Sequence, residues 1–286
     1  FQGVAGQTSC DPCEEGKYCP EGASAALVCP GGTYAVGTNL TSESECLPCD
    51  EGYSCSPGST QQTKCSAGTY TDAKRQSECT PCEAGTFQGV AGQTSCDPCE
   101  EGKYCPEGAS AALVCLAGSY SDATNLTSES QCTPCPRGSA CGAGSIEPSA
   151  CSAGTFTNAT GQPTCQPCAA GTFQSLSGAT ECEPCEEGKY CPEGASAALV
   201  CPGGTYAVGT NLTSESECLP CDEGYSCSPG STQQTKCSAG TYTDAKRQSE
   251  CTPCEAGTFQ GVAGQTSCDP CEEGKYCPEG ASAALV

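Results

Sequence analysis

Apolar positions in this chain of 286 residues come singly or in short runs, and no stretch of it repeats them with a helical period. The longest run, Ala111–Ala117, is far shorter than the roughly 20 residues needed to cross a bilayer. Bulky side chains follow a local rule instead. Nine aromatics stand in G-[TS]-[YF] shortly after a cysteine: Tyr34, Tyr70, Phe87, Tyr120, Phe156, Phe173, Tyr206, Tyr242 and Phe259. Six more, Tyr18, Tyr53, Tyr104, Tyr190, Tyr225 and Tyr276, follow a glycine directly or after Lys, and Phe1 opens the same segment as Phe87. The glycine permits a tight turn or a positive φ, and the ring is expected to lie as a lid on a nearby disulfide. With 36 Gly and 21 Pro, the pattern predicts short strand pairs flanking G-T-Y and no helix of ordinary length.

The chain repeats itself at two scales. Phe1–Val28 recurs letter for letter as Phe87–Val114 and Phe259–Val286, with Phe173–Val200 a diverged copy, so the basic period is 86 residues. At a shift of 172 the match is stricter, with Pro12–Val114 and Pro184–Val286 identical over 103 residues. Four units follow: 1–86 (A), 87–172 (B), 173–258 (A again) and a partial B at 259–286. Cysteine spacing divides the repeat into three sub-modules with lengths 36, 33 and 17, first met as Cys10–Glu45, Cys46–Glu78 and Cys79–Ser95. The shortest lacks an x5-x9 insertion.

Composition restricts what such units can be. There are 33 cysteines, no His, Met or Trp, and only 5 Phe and 11 Tyr, too little bulky apolar surface for a conventional hydrophobic core. Small modules in that position use covalent crosslinks, which persist in an oxidising compartment, so an extracellular or cell-surface (secreted) location is expected. Four N-x-[ST] sequons at Asn39, Asn125, Asn158 and Asn211 fit that location and make N-linked glycans expected partners. Asn39, Asn125 and Asn211 fall in the longest loop, where a glycan projects freely. A net charge of -23 argues against nucleic acid and anionic membranes as partners, and no membrane insertion is expected. The chain opens on Phe1 with no leader, and a window from a longer protein is the expectation.

Three chemistries compete for the cysteines. All ten C-x2-C pairs have Pro in third place, from Cys10-Asp11-Pro12-Cys13 to Cys268-Asp269-Pro270-Cys271, and none precedes a helical pattern, which disfavours a thioredoxin-type redox site. Cys79, Cys82, Cys96 and Cys99 approach a zinc spacing, but a four-thiolate site leaves the x5 and x9 cysteines over and has no His to draw on. Disulfides use the x5 and x9 cysteines as well. Pairing each cysteine that opens a G-[TS]-[YF] loop with the first of the next C-x-P-C gives Cys29–Cys46, Cys65–Cys79, Cys82–Cys96, Cys115–Cys132, Cys151–Cys165, Cys168–Cys182, Cys201–Cys218, Cys237–Cys251 and Cys254–Cys268. The remainder pair across x5: Cys13–Cys19, Cys49–Cys55, Cys99–Cys105, Cys135–Cys141, Cys185–Cys191, Cys221–Cys227 and Cys271–Cys277. Cys10 is left over, its partner expected upstream of Phe1. An interlaced alternative joins Cys49 to Cys65 and Cys55 to Cys79.

The stretch CSAGTYTDAKRQSECTPCEAGTFQGVAGQTSC, Cys65–Cys96, resembles the ephrin-receptor-like cysteine-rich repeat, itself similar to TNF-receptor and EGF-like modules. The resemblance implies an elongated extracellular array with little regular structure and no catalytic site. The extra x5 cysteine of CEEGKYC and the near-perfect long period depart from it.

The expected fold class is therefore small disulfide-rich repeats in an elongated tandem array of short β-hairpins, without a conventional hydrophobic core. Without His the chain offers no ordinary nucleophile–base pair, and its carboxylates stand in solvated strings such as Glu14-Glu15, so no enzyme and no cofactor are expected. No loop matches a calcium-binding D-x-[DN]-x-[DN]-G pattern. One surface repeated at fixed intervals suits a structural extracellular glycoprotein, the shaft of a filament, appendage or fibrous coat, with copies of itself as partners. The stalk or ligand-binding ectodomain of a receptor, adhesin or surface antigen is the alternative.

Overall fold

A computed structural model describes residues 1–286. The chain divides into two compact units, one of Phe1–Pro134 with Cys141–Pro148 and one of Cys135–Ala140 with Ser149–Val286. Both are built the same way. Two-residue strands pair into fifteen antiparallel two-stranded sheets, joined by turns and three short 3-10 segments at Glu43–Glu45, Glu129–Gln131 and Glu215–Glu217, and there is no α-helix.

Each hairpin starts from C-x2-G, and Cys29-Pro30-Gly31-Gly32-Thr33-Tyr34 shows why. The Thr33 N–H donates to the Pro30 carbonyl at 3.1 Å, closing a β-turn with Gly32 at φ +83 in third place, the type II geometry that calls for glycine. The Thr33 hydroxyl donates to the same carbonyl at 2.7 Å, which explains why Thr so often follows the glycine. Thr33–Tyr34 then pairs with Leu47–Pro48, Thr33 opposite Pro48. In a two-stranded ribbon both strands are edges, so the N–H that proline lacks costs no ladder bond. The x-Pro of C-x-P-C is thus the returning strand of a hairpin.

The structure subdivides the sub-modules read from cysteine spacing. The x5 segment heads a complete hairpin of its own: Lys17–Tyr18 pairs with Leu27–Val28, as Lys103–Tyr104 does with Leu113–Val114. Opening cysteines Cys13, Cys29, Cys49, Cys65 and Cys82 mark five successive hairpins before the pattern starts again at Cys99. The two longer sub-modules therefore hold two hairpins each and the shortest holds one. Sequence spacing hid this because Leu27-Val28-Cys29 lacks the first cysteine and the proline of C-x-P-C.

Sulfur forms the interior. The buried apolar residues are cysteines, five alanines and Leu126. They gather in small clusters, each one disulfide with an alanine or, in one case, Leu126, and a ring from the preceding hairpin. Tyr18 packs on Cys29, Ala35 and Cys46, and Phe87 packs on Cys99, Cys105 and Ala109. In the second unit Phe173 and Tyr190 occupy the equivalent places. Each of these rings covers the disulfide of the next hairpin rather than its own, so it ties consecutive hairpins together. A half-buried ring of this kind contributes on the order of 1–2 kcal/mol.

Candidate functional site

Thirty-two of the 33 cysteines are disulfide-bonded, and Cys10, which is exposed, is not. The structure joins Cys29–Cys46, Cys65–Cys79, Cys82–Cys96, Cys115–Cys132, Cys151–Cys165, Cys168–Cys182, Cys201–Cys218, Cys237–Cys251 and Cys254–Cys268. Across x5 it joins Cys13–Cys19, Cys49–Cys55, Cys99–Cys105, Cys185–Cys191, Cys221–Cys227 and Cys271–Cys277, and Cys135 and Cys141 are likewise oxidised. The interlaced pairs are absent. Cys79, Cys82, Cys96 and Cys99 lie in three separate disulfides, and no three His, Cys, Asp or Glu side chains converge as a metal site.

The two disulfide types share one slot. Six residues after the opening cysteine the chain turns inward, and that position holds either the x5 cysteine or a side chain that replaces it. Ala35 and Ala207 are 1% exposed there, and Thr71, Gln88, Ser121, Thr157, Gln174, Thr243 and Gln260 are buried. Each polar occupant is hydrogen-bonded. Thr71 accepts from the Gly52 N–H at 2.8 Å, and the Gln88 amide donates to the Ser95 carbonyl at 2.8 Å while accepting from the Val90 N–H. No buried side-chain polar atom is left unpaired.

Consecutive hairpins are coupled by a second recurring position that spacing analysis missed. At fifteen places an N–H donates to the carbonyl of the cysteine that opens the preceding hairpin, as from Asn39 to Cys13, Gly58 to Cys29 and Arg75 to Cys49. All fifteen donors have left-handed φ, between 60 and 82. Ten are Gly, three are Asn (Asn39, Asn125, Asn211) and two are Arg (Arg75, Arg247). The signal was the recurrence of Gly or Asn at one place in thirteen of these fifteen hairpins, legible only once every C-x2-G is counted as a hairpin.

The sequon asparagines therefore have a backbone role. Asn39, with φ +61, also accepts the Cys13 N–H on Oδ1 at 3.1 Å. Leu40 packs into the Cys29–Cys46 cluster, and the Thr41 hydroxyl donates to Glu45 at 3.1 Å. Asn39, Asn125, Asn158 and Asn211 are all exposed, and Asn158 alone lies outside the left-handed positions.

Ionic contacts lie on the surface. Lys17, Lys103, Lys189 and Lys275 pair with the glutamates three residues before them, and Lys74 and Lys246 pair with Asp50 and Asp222 at 3.1 and 3.0 Å. The hydrogen bond from Lys74, then that from Gln62, holds the Asp50 carboxyl below the usual aspartate range, and Lys17 does the same for Glu14. No helix is long and apolar enough to cross a membrane.

Three segments, residues 68–112, 154–198 and 240–284, match the family model described as tyrosine-protein kinase ephrin type A/B receptor-like. No curated protein matches the chain. Matches and disulfides together point to an extracellular, disulfide-rich module. Those three segments, set on the hairpins and sulfur clusters described above, are cysteine-rich repeats of the ephrin-receptor-like family.

Proposed function

We propose that the chain is a structural extracellular glycoprotein whose disulfide-braced repeats form the shaft of a filament, appendage or fibrous coat, assembling with copies of itself. The observation that carries this reading is the strict repetition of one surface. Pro12–Val114 and Pro184–Val286 are identical, and their local geometry matches: a depression lined by Tyr70, Glu83, Thr86, Ser95 and Cys96 has its equivalent at Tyr242, Glu255, Thr258, Ser267 and Cys268, each about 290 Å³. A ligand-binding protein needs one distinctive surface, whereas lateral or head-to-tail assembly uses equivalent surfaces at a fixed interval. Glycans on Asn39, Asn125, Asn158 and Asn211 decorate that shaft, and the reading includes no catalytic activity.

Electron microscopy of the native material tests it. Fibres whose axial period is set by the Pro12-to-Pro184 interval are expected; isolated membrane-proximal molecules would favour the second reading, the stalk of a receptor or adhesin. That reading draws its support from the receptor description of the matched family.

A further inference from the structure

Lys74-Arg75 and Lys246-Arg247 are the two places where basic residues are adjacent, in a chain whose net charge is -23. Both stand in a loop that A and B units write differently. In the first A unit it reads Asp72-Ala73-Lys74-Arg75-Gln76-Ser77-Glu78, and in the B unit Asn158-Ala159-Thr160-Gly161-Gln162-Pro163-Thr164. The B loop has no cation, and it carries a sequon, a proline and the glycine that a left-handed turn prefers.

The A loop is open to solvent and lightly held. Residues 72–78 are all exposed. Two backbone hydrogen bonds anchor them, from the Arg75 N–H to the Cys49 carbonyl and from the Cys55 N–H to the Gln76 carbonyl, each 3.0 Å, together with the surface pair of Lys74 and Asp50. The Gln76 N–H donates to no backbone group. The Arg75 carbonyl lies over Gly32, so the Arg75–Gln76 bond becomes fully accessible when this turn lifts. Arg75 itself eases that step, since it holds φ at +66 where glycine would carry no strain. Nicking concentrates at exposed segments that open locally at low cost.

Other basic residues are held more closely. Arg137 precedes Gly138, whose N–H donates to the Thr157 carbonyl at 3.0 Å and where a β-carbon would meet the Gly178 carbonyl at 2.2 Å. Lys17, Lys64, Lys103, Lys189 and Lys236 lie in paired strands.

We propose that the Arg75–Gln76 and Arg247–Gln248 bonds are processing sites, cut by a secreted serine protease whose primary specificity pocket carries a carboxylate. The net step is hydrolysis: the hydroxyl of water goes to the arginine carbonyl carbon and its hydrogen to the glutamine nitrogen. Cys65–Cys79 and Cys237–Cys251 span the two cuts, so the pieces stay joined. Cleavage here requires no self-assembly.

Limited digestion of the oxidised 286-residue chain with trypsin, read by mass spectrometry with and without reduction, tests access to these bonds. Cutting at the two basic pairs is expected at least about tenfold ahead of Arg137 and of the strand lysines. The cut chain is expected to stay one species until reduction separates it into three pieces. Arg75→Gly with Arg247→Gly installs the residue found at most equivalent turns, so the fold is kept, and exchange of the Cys55 and Cys227 amides is expected to slow at least about threefold. Native material is expected to yield, on reduction, fragments that begin at Gln76 and Gln248. Cutting at Arg137 as fast as at Arg75, unchanged exchange in the glycine variant, or native chains with both bonds intact overturns the assignment.

Discussion

The carbonyl oxygen of Arg75 lies 2.1 Å from where a β-carbon on Gly32 would stand, and Arg247 and Gly204 repeat the relation. A hairpin's turn glycine is thus covered by backbone from the second hairpin downstream. Gly52 and Gly92, Gly68 and Gly108, and Gly102 and Gly144 do the same.

Replacing Gly32 by Ala brings two penalties, the left-handed φ of +83 and a collision with main chain that no side-chain motion relieves. Together they are expected to destabilise the fold by about 3 kcal/mol. Gly22 has φ +75 but open space where its β-carbon would go, so Gly22→Ala is expected to cost only about 1 kcal/mol. Denaturant titration of the oxidised variants checks the contrast; equal losses would remove the case for backbone stacking.

The hairpins, the sparse secondary structure and the sulfur interior were legible in sequence, because C-x2-G, x-Pro and the cysteine density each encode a local geometry. Coupling between hairpins was not. The Tyr18 ring was expected over a nearby bridge, and nothing in Gly-Lys-Tyr-Cys indicates that it reaches forward to Cys29–Cys46 rather than back to Cys13–Cys19. The place of Asn39 was hidden for the same reason, since its partner, the Cys13 carbonyl, belongs to the preceding hairpin.

Rings that staple each hairpin to the next make stability local. Removing the ring by Phe87→Ala is expected to cost about 1–2 kcal/mol and to speed exchange of the Gly85 and Gln88 amides, which donate to Cys105 and Ala109. Amides of Gly32 and Cys49 belong to earlier hairpins and are expected to keep their protection. Uniform loss across the chain in hydrogen exchange would show cooperativity of a kind that nearest-neighbour coupling does not give.

The two disulfide types close loops of different size. Cys29 and Cys46 are 17 residues apart, Cys99 and Cys105 only 6. Chain-entropy accounting assigns about 3 kcal/mol to the larger loop and about 2 kcal/mol to the smaller. Paired Cys→Ala substitutions at each site, compared by denaturant midpoint, are expected to preserve that order. A reversed order would mean that the x5 bridge holds the hairpin chiefly by packing.

Asp50 titrates below the ordinary aspartate value because Lys74, then Gln62, donate to its carboxylate. A carboxyl whose pKa is lower in the folded chain adds stability that is complete above its unfolded pKa, about 3.9, and is lost as pH falls through the lowered folded value. The wild type should therefore exceed Lys74→Met with Lys246→Met by a small, constant margin at neutral pH, vanishing only below about pH 4. Thermal midpoints of both chains across an acid series check this, and a margin that closes above about pH 5 contradicts it.

Asn39 carries two separable roles, a glycan acceptor on Nδ2 and a left-handed turn residue whose Oδ1 accepts the Cys13 N–H. Asn39→Gly removes the sequon but supplies the residue found at most equivalent turns, losing one side-chain hydrogen bond of about 0.5–1.5 kcal/mol. Asn39→Gln removes the sequon and sets a strained side chain at φ +61, adding about 1–2 kcal/mol. Secreted from a glycosylating host, both variants are expected to lose the mass of one glycan, and Gln alone is expected to fold with markedly lower yield. If neither changes in mass, Asn39 recurs for its backbone alone; if both lose mass and fold equally well, the turn places no demand on the residue and the glycan is what the position keeps.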